Sequence, residues 1–415
     1  MKKEKTPNIR FKKFEHNWFK DCLSKVSKSI EYGLNASAKD YDGIHKYLRI
    51  TDIDESSRLF LTDKLSSPDV NFTIEDFENY KLQKNDLLFA RTGASVGKTY
   101  LYRESDGEVY YAGFLIRARL RDSYDGNFIF QQTLTDKYKQ FIEITSQRSG
   151  QPGVNGKEYG EWNIGMTSYH EQSAIGSLFR ILDDLLASYK DNIANYQSLK
   201  ATMLSKMFPK AGQTVPEIRF DGFEGEWKLY ELKSRAETIT KGTTPKDKSW
   251  QGEVNYIKTE SINRDNGSLV RTASTSLEEH LEYLKRSILK EGDVLFSIVG
   301  TLGVVGIVEK KDLPANTNQQ IAIIRLKRDD AIFMLNFLKS PRIKSFIKSD
   351  STIGAQPSLS LWQIEKIKVS LPPSLEEQQA IGSYFSNLDN LIAAHQEKIS
   401  QFETLKKKLL QDMFI

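Results

Sequence analysis

The run Gly93-Ala94-Ser95-Val96-Gly97-Lys98-Thr99 comes nearest, among all segments of this chain, to the residue types of phosphate chemistry. A phosphate loop of that kind needs four residues between its glycines, so that backbone amides curl round the anion, and a helix after the lysine. Here three residues intervene, and the strand-like Thr99-Tyr100-Leu101-Tyr102 follows. The matching segment of the second half, Gly300-Thr301-Leu302-Gly303-Val304-Val305, carries no lysine. The pattern predicts a β-turn with a basic tip. Five histidines (16, 45, 170, 280 and 395) are scattered, and no His/Cys/Asp spacing suits a metal. Pro68-Asp69 lacks a nearby Glu-x-Lys, so a common nuclease arrangement is missing. No Asn-Pro-Pro-Tyr-type methyltransferase motif occurs, and Leu371-Pro372-Pro373-Ser374 merely leads into a helix cap. The expectation is a chain that catalyses nothing by itself and binds no cofactor or metal.

The elements that position the remaining polar residues are written twice. Residues 171–208 and 377–414 align without gaps, 206 positions apart, with 17 of 38 residues identical. Such an internal repeat fixes architecture before any local signal does. Both copies are free of proline, and both open on Ser-x-x-Glu, Ser168 to Glu171 and Ser374 to Glu377, which reads as a capping box. In the first, Leu178, Leu182, Leu185, Tyr189, Ile193, Tyr196, Leu199, Met203 and Met207 form a heptad-like stripe. In the second, Tyr384, Leu388, Leu391, His395, Ile399, Phe402, Leu405, Leu409 and Met413 occupy the same places. A stripe this narrow on helices of roughly 57 Å predicts that the two pair with each other, antiparallel, about a pseudo-two-fold axis. His395 stands where the first copy has Tyr189 and reads as a seam residue.

A stretch of about 165 residues precedes each helix, long enough for a domain. Pro7–Trp18 matches Pro216–Trp227 at seven of twelve positions. Tyr47-Leu48-Arg49 answers to Tyr256-Ile257-Lys258, Asp86-Leu87-Leu88-Phe89 to Asp293-Val294-Leu295-Phe296, and Gln151-Pro152 to Gln356-Pro357. Strand-like runs cover 46–53, 86–91, 99–103 and 109–120 in the first half, and 254–258, 293–299, 304–309 and 321–326 in the second. One late helix is expected in each, near 127–145 and 329–348. The fold class is therefore mixed α/β, with segments 1–167 (globule), 168–208 (helix), 209–215 (linker), 216–373 (globule) and 374–415 (helix). A single cysteine, Cys22, excludes an internal disulfide and suggests a reducing cytoplasm. No signal peptide or membrane span is expected. The net charge of +4 lies in the globules, since the two helices together carry eight basic and nine acidic groups. That tilt permits polyanion binding.

Several segments carry a family resemblance: the paired Glu-Gln-x-Ala-Ile-Gly starts at 171–176 and 377–382, Leu371-Pro372-Pro373, and Leu405-Lys406-x-x-Leu409-Leu410-Gln411. Gly242-Thr243-Thr244-Pro245, Tyr47-Leu48-Arg49-Ile50-Thr51-Asp52-Ile53 and Phe220-x-Gly222-Phe223-x-Gly225-x-Trp227 add to it. In this order, these resemble the specificity subunit of type I restriction-modification systems over essentially the whole chain. The resemblance implies two target recognition domains separated by two helices that pair as an antiparallel coiled coil. It implies double-stranded DNA, two methyltransferase subunits and restriction subunits as partners, with S-adenosylmethionine, ATP and Mg on those partners. Pairing and docking would fall to Leu182, Leu185, Tyr189, Ile193 and Tyr196, with Leu388, Leu391, His395, Ile399 and Phe402. The DNA-facing candidates lie in loops flanked by the repeated anchors. In the first half they are Arg91, Thr92, Ser95, Lys98, Arg148 and Gln151. In the second they are Lys241, Thr243, Thr244, Lys246, Thr301, Asn318, Gln319 and Gln356. Two rival readings are a stand-alone DNA-binding regulator and a protein-binding scaffold without DNA.

Overall fold

The computed structural model describes residues 6–147, 151–352 and 356–415. The chain divides into two compact units: the part up to Lys190 together with Glu397–Ile415, and Asp191–Gln396. Each unit thus takes one globule and a length of each long helix.

In the first unit, a four-stranded antiparallel sheet runs in the order Ser27–Tyr32, Leu115–Leu120, Asp86–Ala90, Thr99–Leu101. Its central strand is buried at every residue, and the period-two geometry of a strand divides its side chains between two cores. Leu87 and Phe89 join Trp18, Phe128, Tyr159 and Phe179 on one face. Leu88 and Ala90 join Leu48, Tyr100 and Tyr111 on the other. A short parallel pairing of Lys46–Leu48 with Val109–Tyr111 covers the second face. Phe19–Cys22 pairs with Asn163–Met166 beside the start of the first long helix.

The second unit repeats this plan. Its sheet is Ala236–Lys241, Ile321–Leu326, Val294–Ser297, Val305–Ile307. Val254–Ile257 runs parallel to Ala315–Thr317, and Lys228–Glu231 pairs with Lys368–Leu371. In each unit a fully buried aspartate grips an arginine across the sheet, Asp86 with Arg119 and Asp293 with Arg325.

The long helices are Tyr169–Lys206 and Leu375–Asp412, 38 residues each. Within the first unit they run antiparallel, through Phe179 on Phe414, Asp183 on Lys406 and Tyr189 on Phe402. The same three contacts recur within the second unit as Phe385 on Phe208, Asp389 on Lys200 and His395 on Tyr196. The buried stripe differs in part from the heptad reading. Ile175, Phe179, Leu182 and Leu186 are buried, as are Ile381, Phe385, Leu388 and Ile392, while Leu185 and Leu391 are exposed at 37% and 43%. A straight helix drifts against a 3.5-residue repeat, so the inward position moves one residue on.

Two further expectations change. The glutamates of the Ser-x-x-Glu starts do not close capping boxes. Glu171 is fully buried and takes Arg10 Nε and Nη2 at 2.6 and 2.7 Å, with Thr167 Oγ1 at 2.5 Å. Glu377 takes Arg219 in the same way, at 2.8 and 2.8 Å, and only the Ser374 hydroxyl keeps a capping role. A guanidinium fork outcompetes a single backbone amide for a buried carboxylate. The expected long strand over 109–120 breaks at Ala112–Phe114 into Val109–Tyr111 and Leu115–Leu120. The late helices each split in two, Gly126–Gln132 with Asp136–Thr145, and Ala331–Lys339 with Pro341–Asp350.

The rest of the repeated Glu-Gln-x-Ala-Ile-Gly start joins helix to globule. Gln172 and Gln378 accept the backbone N–H of Asp125 and Asp330, the residues that cap Gly126–Gln132 and Ala331–Lys339. Gly176 and Gly382 let the helix approach so closely that a Cβ there would lie 2.3 and 2.9 Å from those aspartates' Oδ1. Among the described residues no helix is long and apolar enough to cross a membrane.

Candidate nucleic-acid interface

At one end of each four-stranded sheet, three neighbouring strands finish in loops that carry most of the candidates. In the first unit, Tyr32 ends one strand, Arg91 follows the central strand, and Phe114 precedes the third. The loops cross tightly: Leu34 N–H donates to Tyr111 O, and a Cβ on Gly33 would lie 2.2 Å from Ala112 O. The second unit is built alike, with Thr243 N–H on Thr317 O, and a Cβ on Gly242 would lie 2.0 Å from the same oxygen. Glycine at 33 and 242 is thus required by a backbone-to-backbone crossing.

The suspected phosphate loop is a turn. Gly93–Ser95 is a single 3-10 turn that returns directly into Thr99–Leu101. Gly93 N–H donates to Pro152 O, as Gly300 N–H does to Pro357 O, so the repeated Gln-Pro pairs clamp the two glycine turns. Lys98 is not a basic tip. Its side chain is 9% exposed, and its ammonium donates to Ile53 O at 3.0 Å and pairs with Glu55 at 2.8 Å. This corrects its assignment to the DNA-facing set: strand pairing turns it inward.

The other candidates are distributed as follows. Arg91, Thr92, Ser95 and Gln151 lie around the Gly93 turn, with Thr92 bridged to Gly153 and Gln151 exposed. Arg148 lies outside the described residues. In the second unit the Thr244 and Gln319 side chains are hydrogen-bonded to each other. Thr243 receives Arg286 Nη2 at 3.5 Å, and Asn318 is tied to Gln320. Lys241, Thr301 and Gln356 are exposed, the last two flanking Gly300. Lys246 stands apart from that edge, over the Tyr283 ring at 4.7 Å and with its N–H on Glu279. Among the described residues, no group of three or more His, Cys, Asp and Glu could hold a metal ion.

Sequence reading missed Tyr32 and Phe114. They line a cleft of about 730 Å³ with Arg91, Arg49, Tyr47 and the Gly33–Ala36 backbone. The signal is the alignment of Ile321–Leu326 with Leu115–Leu120, which brings Phe114 opposite Gln320. On the long helices, Leu182 and Leu388 are buried, and Tyr189, Ile193, Tyr196, His395, Ile399 and Phe402 are half-buried. Leu185 and Leu405 in the first unit, and Leu199 and Leu391 in the second, are exposed.

Residues 224–404 match the family model of the type I restriction modification DNA specificity domain. The chain is 22% identical over 383 residues to the MjaVIII specificity subunit of Methanocaldococcus jannaschii, covering 90% of this chain and 85% of that one. It is 28% identical over 167 residues to the EcoBI specificity subunit of Escherichia coli, 39% of this chain and 35% of the relative. The crystal structure of the type I restriction-modification S subunit from M. genitalium shares the fold, with a TM-score of 0.63, 17% identity and 99% of both chains covered.

Proposed function

We propose that this chain, which belongs to the specificity subunits of type I restriction-modification systems, reads a bipartite DNA target with one half-site for each globule. Residues 1–167 and 216–373 are the two readers in this proposal, the linker 209–215 leads from the first helix to the second reader, and the helices 168–208 and 374–415 set the spacer between half-sites. The observation that carries the reading is the repeated sheet edge. The same glycine crossing, glycine turn and Gln-Pro clamp occur in both units, yet the side chains set on that frame differ: Tyr32, Arg91 and Phe114 against Lys241, Ile298 and Gln320. A shared frame with unlike polar surfaces suits two readers of unlike sequences, since base edges specify while phosphate contacts only position. The exposed Leu185, Leu391, Leu199 and Leu405 suit docking of two methyltransferase subunits along the paired helices. Those subunits, with restriction subunits in the full complex, would carry S-adenosylmethionine, ATP and Mg.

The test is domain exchange. Replacing residues 1–166 by the corresponding segment of a related protein, in a complex with the cognate methyltransferase, changes one half-site of the mapped methylation motif and leaves the other. A change in both half-sites would refute independent readers.

A further inference from the structure

We propose that Arg91 reads a guanine: its guanidinium, held between the Tyr32 and Phe114 rings, donates to O6 and N7 of one guanine in the half-site of the first unit. This rests on the reading of each unit as a DNA reader and names one base that the first unit selects.

Most other described arginines of that unit pair with a carboxylate, while the exposed Arg121 donates to Lys25 O. Arg10 pairs with Glu171, Arg49 with Asp52, Arg103 with Asp184, Arg117 with Glu31, and Arg119 with Asp86. Arg91 has no carboxylate and no side-chain hydrogen bond among the described residues, and its Nε is shielded from solvent without a partner. A guanidinium that is partly desolvated and unpaired costs free energy unless something else compensates. Two aromatic faces compensate here, with the Arg91 Cζ 5.2 Å from the Tyr32 ring centroid and 5.7 Å from that of Phe114. The Tyr32 hydroxyl accepts the Gly156 N–H at 3.0 Å, which pins that ring. The Arg91 N–H donates to Phe114 O at 3.1 Å, which ties the arginine's own backbone to the other ring's. The fork is therefore held in place by groups that do not use its donors.

What such a fork awaits is a pair of acceptors on one edge. In the major groove, guanine offers that pair through O6 and N7, and an orientationally fixed arginine is the side chain that matches it. A phosphate can accept the same fork, and the two contacts are separated by their sequence and salt dependence. The second unit makes the contrast. Ile298 sits at the equivalent backbone position, its N–H donating to Gln320 O as Arg91 N–H does to Phe114 O, and it is 3% exposed. Lys241 and Gln320 replace the two rings. Among the described residues the second unit has no arginine at this position, so it cannot read a base there in the same way.

The experiment uses the full chain assembled with its methyltransferase subunits, and duplexes in which each base pair of the target is changed in turn. The half-site belonging to residues 1–167 is first identified by domain exchange. Wild type should prefer one G·C pair in that half-site. Arg91→Lys and Arg91→Ala should each lose roughly tenfold or more of the discrimination at that pair. Discrimination at the other half-site should not change. Phe114→Ala should weaken the same position and no other. Equal weakening on all sequences with a shallower salt dependence, largely restored by lysine, would make Arg91 a phosphate contact and overturn the proposal. So would a first half-site without any G·C pair. A wild-type target that is not bipartite would instead overturn the reading on which the proposal stands.

Discussion

Removing the cation from the buried Arg10–Glu171 pair should cost the first unit more than any exposed ion pair could. The Glu171 side chain is 0% exposed and that of Arg10 14%, and two charge-assisted bonds of 2.6 and 2.7 Å join them. In Arg10→Met the carboxylate keeps the Thr167 hydroxyl but loses its counter-charge. Breaking a buried pair on one side costs about 3–5 kcal/mol. Some water can enter beside a residue as exposed as Arg10, so the lower end, about 3 kcal/mol, is expected. For a unit of this size that is a fall of about 6–12 °C in Tm. Burial by itself would push the Glu171 carboxyl up, but the hydrogen bonds from Arg10 and Thr167 outweigh it and hold the group below its ordinary value. A depressed carboxylate stabilises above its unfolded pKa of about 4.3, and that stability is lost as pH falls through the folded value. The Tm gap between wild type and Arg10→Met, measured by calorimetry, should therefore be largest at pH 7 and shrink as acid protonates the carboxyl, first in the variant, where burial raises it, and below about pH 4 in the wild type. Arg10→Met/Glu171→Met should recover a large part of the loss, since an apolar pair leaves no charge unpaired. A gap under about 0.5 kcal/mol at pH 7, or one independent of pH, would refute the reasoning.

Other outcomes follow from the same structure. Burial, with repulsion from Lys200, lowers Lys339 to about 8. Its unfolded value is about 10.4, so the folded state carries a penalty below pH 8 that fades as pH rises to about 10.4. Lys339→Met should accordingly raise the stability of the second unit by about 1–2 kcal/mol at pH 7 and by nothing at pH 10.5, read by denaturant unfolding. Lys98→Met should lower stability by about 1–2 kcal/mol while leaving the methylation motif unchanged, and neither wild type nor variant should hydrolyse ATP in the absence of partner subunits. Deleting Lys190–Ile193 and Gln396–Ile399 together shortens each helix by about 6 Å, or at most about two base pairs of reach. The same two half-sites should then be read across a shorter spacer, and full activity at an unchanged spacer would limit the helices to docking.

The sequence revealed what is repeated and hid what is paired over long separations. The helices were legible because their identities fall at one offset, and the same offset relates Phe179 on Phe414 to Phe385 on Phe208. The strand over 86–90 was legible because an unbroken apolar run after an acid is buried on both faces. Glu171 was misread as a cap because its partner, Arg10, lies 161 residues away in sequence. Lys98 looked available because nothing local shows that strand pairing sends its side chain inward to Ile53 and Glu55. Phe114 was overlooked because a lone aromatic in a loop is usually core, and only the geometry shows it 60% exposed beside Arg91.

The central claim, two unlike readers on one repeated frame, is tested most directly by mapping every methylated site in DNA modified by the assembled complex. The account predicts a motif of two short, unlike half-sites separated by a spacer of fixed length and free sequence. A single uninterrupted motif, or two half-sites of identical sequence, would contradict it.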